Sequence, residues 1–170
     1  MAEPRTAAEA FADTDEARLT ALVAAIGIDV DHTLLLEAMS HRSWCAENPG
    51  NASNERLEFL GDAVLGLVAA DNAYRRFPDM TEGELTGVRK GVVNTSALGE
   101  IGTELGIGPF IKLGRGEAAA GGAGKTTILA DAVEAIIGAI YLDRGVATAF
   151  EFVERLLGGR IRSEERRVGK

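Results

Sequence analysis

NERLEFLGDAVLGLVAADNAYRRF, residues Asn54 to Phe77, is the stretch that decides the architecture. Its apolar residues recur three, four and seven apart, which is helical spacing and not the alternation of a strand. Leu57, Leu60, Ala63, Val64, Leu67 and Val68 cover much of the circumference, so the spacing predicts a buried helix over Glu55–Phe77. Asn54 or Ser53 can cap its start, and Pro78 stops it. Against this apolar background Glu55, Glu58 and Asp62 fall on one narrow stripe.

A second segment repeats the arrangement. ILADAVEAIIGAIYL, from Ile128 to Leu142, is almost wholly apolar and contains no Lys or Arg, yet it carries Asp131 and Glu134 at i, i+3. Gly138, seven residues after Asp131, lies on the same face and removes a side chain there, leaving room for something else. A carboxylate among apolar neighbours is costly unless it is protonated, paired or bound to a cation. Arg56 lies off the Glu58 stripe, so neither helix supplies its own basic partners. Two readings stand at this point. The acids line one wet face with ordinary surface contacts, or oxygen ligands converge from two rigid helices on a hard cation such as Mg²⁺.

Outward from these helices the chain reads as all-α, with almost no strand. Glu16–Ile28 is predicted as a helix stopped near Gly27, and Leu34–Met39 as a short second one. Residues 47–54 form a loop by composition. Thr81 and Glu84 have capping-box spacing, with Met80 and Leu85 placed as a hydrophobic staple. Asn94–Leu105 is a further helix running into the turn Gly106–Pro109. Residues 114–124, GRGEAAAGGAG, are expected to be a flexible loop, with Thr126 or Thr127 capping the helix beyond it. Val146–Leu157 closes the fold, residues 1–15 read as a loose leader, and Arg160–Lys170 as a disordered charged tail.

Composition narrows the function classes. The chain has 170 residues, 46% of them hydrophobic but only 5% aromatic, which suits one Ala-, Leu-, Ile- and Val-rich helical domain. No apolar run is long enough for a membrane span, and residues 1–14 lack the apolar stretch of a signal peptide. A single cysteine, Cys45, has no partner for an internal disulfide and no obvious activating histidine, so a reducing cytoplasm is expected. The net charge of −8 argues against a sequence-independent phosphate binder.

The run Asn54–Leu65, NERLEFLGDAVL, resembles the signature helix of the ribonuclease III family. The likeness extends to His41-Arg42-Ser43, to Glu82-Gly83 with Leu85-Thr86, to Val93-Asn94, and to Ile128–Asp143, covering about Leu19 to Leu157 in the right order. The resemblance implies an all-α ribonuclease III nuclease domain over residues 16–159 that forms a symmetric homodimer. It implies Mg²⁺-dependent endonuclease action on double-stranded RNA, with Mn²⁺ expected to substitute. The products would be 5′-phosphate and 3′-hydroxyl ends with short 3′ overhangs, as in the processing of ribosomal RNA precursors and other structured RNAs. Glu58, Asp62, Asp131 and Glu134 match the metal-binding catalytic carboxylates. Glu55 matches a position linked to RNA processing, and Glu82 another acid near the site. Phe59 becomes a dimer anchor, with plain core packing as the equal alternative. Arg89, Lys90, Arg115 and Lys125 are candidate phosphate contacts. Bacterial members usually continue into a double-stranded-RNA-binding domain, and here the chain stops about where that domain would begin, either as a shortened chain or as a short natural variant.

Two other function classes compete. Ala119–Thr126, AAGGAGKT, satisfies a relaxed phosphate-loop pattern ahead of a helix, but no apolar strand precedes it and no second acidic strand motif follows. No nucleotide cofactor is expected on that ground. A non-catalytic dimeric scaffold would be expected to have lost at least one metal position, whereas all four are Asp or Glu.

Overall fold

The computed structural model describes the backbone of residues 7–168 and the side chains of residues 16–161. The element order is α1 (Ala7–Ile26), α2 (His32–Ala38), α3 (Arg42–Glu47), α4 (Glu55–Arg76), α5 (Glu82–Val92), α6 (Thr95–Glu104), a 3₁₀ turn (Gly108–Phe110), α7 (Arg115–Ala119), a second 3₁₀ turn (Gly122–Gly124) and α8 (Thr126–Val168). Among the described residues there is no strand, only an isolated bridge between Ser40 and Lys112.

The first arm of α8, residues 126–144, runs through the centre of the domain. Ala132, Val133, Ala135, Ile136, Ile137, Ala139 and Ile140 on it are completely buried. Helix α4 lies against this arm at backbone contact distance. A Cβ at Gly61 would sit 1.7 Å from the Glu134 carbonyl oxygen, and one at Gly138 would sit 2.3 Å from the Leu57 carbonyl oxygen. Gly138 therefore makes room for the α4 backbone, not for a ligand, which corrects the sequence reading of that residue. The bare position faces the acids in sequence, but the partner helix fills it.

Gly145, with φ 79° and ψ 176°, breaks α8. That backbone conformation is open to glycine and costly for other residues. The chain therefore turns between the two helices that the sequence predicts on either side of it. The second arm buries Ala149, Phe152, Val153, Leu157 and Ile161. Arg155 on this arm donates to the Ile26 carbonyl at the end of α1, satisfying one of the orphan acceptors of a helix C-terminus.

Helix limits depart from the sequence reading in four places. Helix α1 begins at Ala7, so much of the segment read as a loose leader is helical, as its alanines at 7, 8, 10 and 12 favour; residues 1–6 lie outside the described residues. Helix α8 continues through Val168, beyond the predicted end of order at Arg160. Arg160 itself is tied to Glu100 and Glu104 on α6, each at 3.2 Å, and Ile161 is buried. The Gly-rich segment 114–124 is shaped by contacts and contains α7: Gly114 N–H donates to Ser43 Oγ and Arg115 N–H to Glu47 Oε1. Asn54 does not cap α4 with its side chain; it is buried and donates to the Ala38 carbonyl. The capping box of Thr81 and Glu84 on α5 forms as predicted.

Candidate metal centre

Helix α4 and the buried arm of α8 each present acids to the same space. One carboxylate oxygen from each of Glu58, Asp131 and Glu134 lies within 4.8 Å of the others. Among the described residues none of the three makes an ion pair or a side-chain hydrogen bond, and all are half-buried. That is the costly arrangement anticipated from the sequence, now with the convergence located.

The acids respond as desolvated like charges should. Burial, followed by repulsion from Asp62, Glu58 and Asp131, pushes the Glu134 carboxyl up to about 7. Burial and the Asp131 charge raise Glu58, with Arg42 acting in the opposite sense. Burial raises Asp131, and His41 and Arg42 partly offset it. A divalent cation fits this donor set: hard oxygens from two rigid helices, mutual repulsion awaiting a counter-charge, and no protein cation in contact.

Asp62 is exposed and stands apart from the three. It comes one helical turn, about 6 Å, along α4 from Glu58. Its charge still raises Glu134, but its side chain opens on an adjoining cavity of about 580 Å³ that Arg89 and Lys90 also line. Of the four acids that the resemblance assigns to the metal, three come together and Asp62 stands at their edge.

A cavity of about 720 Å³ opens beside Glu58 and Asp131, lined also by Glu55, His41, Arg42, Glu117 and Lys125. Glu55 sits at its rim, 4.0 Å from the Arg42 guanidinium and accepting from Ser53 Oγ. His41 caps α3 by accepting from Ser43 N–H, and burial holds its pKa low. Lys125 reaches Glu117 at 2.5 Å and holds that carboxyl below its ordinary range. Glu117 was not among the acids read from sequence, since no helical spacing connects it to Glu58. The predicted phosphate contact Lys125 does line the cavity, whereas Arg115 is turned to Glu47. The phosphate-loop alternative finds no support in this setting: α7, not a strand, precedes Gly121, and Lys125 is engaged by Glu117.

Glu82 lies at the start of α5, where it accepts from Thr86 Oγ1 and lines a groove with Leu67 and Tyr74 rather than the acidic cavity. Phe59 is 80% exposed, so within a single chain it is not core. With Leu67 at 57% and Tyr74 at 73%, it makes one side of α4 apolar and uncovered.

Comparison with known proteins assigns a family to this all-helical domain, whose two central helices present converging carboxylates. The Ribonuclease-III-like family model matches residues 31–160. A ribonuclease 3 of Streptomyces coelicolor is 52% identical over 145 residues, covering 85% of this chain and 52% of that protein. One of Thermobifida fusca is 53% identical over 131 residues, covering 77% and 55%. The nuclease domain of ribonuclease III from Campylobacter jejuni superposes with a TM-score of 0.76 at 38% identity, over 81% of this chain and 94% of that one. That solved domain is described as structurally flexible in a region involved in dimer formation. The chain belongs to the ribonuclease III family. It spans about half the length of the curated relatives it matches.

Proposed function

We propose that this chain is a divalent-metal-dependent endoribonuclease that hydrolyses phosphodiester bonds in double-stranded RNA. The observation that carries the reading is the meeting of Glu58, Asp131 and Glu134 within 4.8 Å, half-buried on apolar helices and without a protein cation. Relatives that carry the name ribonuclease 3, at about half identity, support it. The all-carboxylate donor set suits a hard divalent ion, for which Mg²⁺ is the natural occupant and Mn²⁺ a substitute. Held there, the ion would supply the Lewis acidity that activates a water and polarises the scissile phosphoryl group.

The chain's own residues supply charge and position. Glu58 and Asp131 would hold the ion from the two helices, Glu134 would join them in its deprotonated form, and Asp62 would complete the set from the neighbouring turn. Glu55 acts as an auxiliary acid at the rim of the acidic cavity, whereas Glu82 lies in the α5 groove away from it. Duplex recognition is by shape and 2′-hydroxyls, since the A-form major groove is too narrow to read. The products carry 5′-phosphate and 3′-hydroxyl ends with short 3′ overhangs, and ribosomal RNA precursors are among the cytoplasmic substrates. No helix among the described residues is long and apolar enough to cross a membrane. A symmetric dimer covers the uncovered side of α4, with Phe59 as its anchor.

The test is cleavage of a long, fully paired RNA at low salt, with Mg²⁺ and with EDTA, by the wild-type chain and by Glu134→Gln. Fragments from the wild type in Mg²⁺ alone are expected. Full cleavage by Glu134→Gln would overturn the site, and no cleavage by a wild-type chain that binds Mg²⁺ would overturn the activity.

A further inference from the structure

A chain of net charge −8 that handles a polyanion must concentrate its available positive charge where the strand lies. Most described cations are already engaged. Arg18 and Arg144 donate to backbone carbonyls, and Arg75, Arg115, Lys125 and Arg160 are ion-paired. Arg155 donates to Ile26, and Arg42 faces Glu55. Lys112 lies over the Trp44 ring. Of the rest, Arg89 and Lys90 are exposed neighbours on α5 whose side chains have no ion pair or hydrogen bond among the described residues. Both line the 580 Å³ cavity whose other wall is α4 at Asp62, Ala63, Gly66, Leu67 and Ala70.

Placement gives the pair a direction. Asp62 lines this cavity and stands one helical turn, about 6 Å, along α4 from Glu58 of the three-acid centre. A strand with its scissile group at the acids therefore has a continuous path over Asp62 to the two cations. The small side chains Ala63, Gly66 and Ala70 leave the floor of that path low. An apolar partner would bury two unpaired cations beside a carboxylate, which is costly, whereas phosphate oxygens satisfy them.

We propose that Arg89 and Lys90 form a phosphate-binding step on the Asp62 side of the metal centre, gripping the RNA backbone next to the bond that is cut. This rests on the ribonuclease reading above. The pair is a positioning element: it touches backbone phosphates of the substrate but not the reacting atoms, and it reads no sequence.

The experiment measures affinity of the intact chain for a fully paired RNA in EDTA, so that binding is read without cleavage, at several salt concentrations between 50 and 200 mM. The double variant Arg89→Gln with Lys90→Gln is compared with wild type and with Arg144→Gln, which removes a cation that donates to the Asp29 backbone carbonyl at the far end of the buried arm. Losing two phosphate contacts should lower the slope of log affinity against log salt by about 1.8, so that affinity falls about 12-fold less across that range. In Mg²⁺ the double variant should raise KM with kcat little changed. Arg144→Gln should change neither. A double variant with the wild-type slope and KM, while wild type binds and cleaves, would refute the phosphate step alone. Absence of wild-type binding, together with absence of Mg²⁺-dependent cleavage, would sink the ribonuclease reading and the step with it. Thermal melting within about 1 °C of wild type shows that the exposed substitutions leave the fold intact.

Discussion

Replacing Glu134 with Gln should make the metal-free protein more stable at alkaline pH while weakening its response to metal. The folded carboxyl lies at about 7 against an ordinary value of 4.5. At about 1.4 kcal/mol per pH unit, ionising it in the folded chain costs roughly 3 kcal/mol more than in the unfolded one. Solvent screening of a half-buried group brings this to about 2 kcal/mol. The sign follows from a folded-state pKa that is raised. The stability is fully present below pH 4.5 and is lost as pH climbs through about 7. Gln cannot ionise, so the variant should match wild type near pH 4.5 and exceed it at pH 8. For a chain of this size the difference corresponds to a gain in Tm of about 4–8 °C. The assay is thermal unfolding in EDTA at fixed protein concentration, repeated at both pH values and then with Mg²⁺. Wild type should gain stability with Mg²⁺ at pH 8, and the variant should gain much less. Equal wild-type and variant melting temperatures at pH 8 in EDTA would refute the desolvated like-charge account of the site.

Two further outcomes follow from packing. Gly61→Ala puts a methyl 1.7 Å from the Glu134 carbonyl oxygen, with backbone on both sides, and should cost about 3 kcal/mol or more in urea unfolding; a loss under 1 kcal/mol would show that α4 and α8 can separate freely. Phe59→Ala removes an 80% exposed ring and should weaken self-association at least tenfold by sedimentation. Its circular dichroism should stay that of wild type, and an unchanged dimer would remove Phe59 from the interface.

The parts legible in the sequence are those governed by local periodicity and capping. Glu58 with Asp62, and Asp131 with Glu134, could be placed on two helices because their neighbours are apolar at helical spacing. The Thr81–Glu84 box was equally local. What escaped depends on depth and on chain segments far apart. Gly138 looks the same whether a helix or a ligand lies over it, and only the approach of the Leu57 carbonyl decides. Asp62 shares the stripe angularly but sits a turn further along, so only its charge reaches the others. Glu117, His41 and Arg42 join the site from other elements, through contacts that no period encodes. The segment 114–124 has loop composition, yet its amides are held by Ser43 and Glu47 from α3.

The touching backbones at Gly61 and Gly138 also act as a caliper. Where two helices meet through bulky side chains, their axes can drift by fractions of an ångström as rotamers change. Here carbonyl oxygens bear directly on bare Cα atoms, so the gap from which Glu58 and Glu134 set out is fixed by main-chain geometry. The jaws cannot widen to suit a larger ion; only side-chain torsions can adjust. A small ion with strict octahedral demands is matched by such jaws, and a larger, more tolerant one such as Ca²⁺ gains little from them. On the proposed metal reading, ionic radius would be read by the spacing of two peptide backbones, one layer beneath the carboxylates proposed to hold the ion.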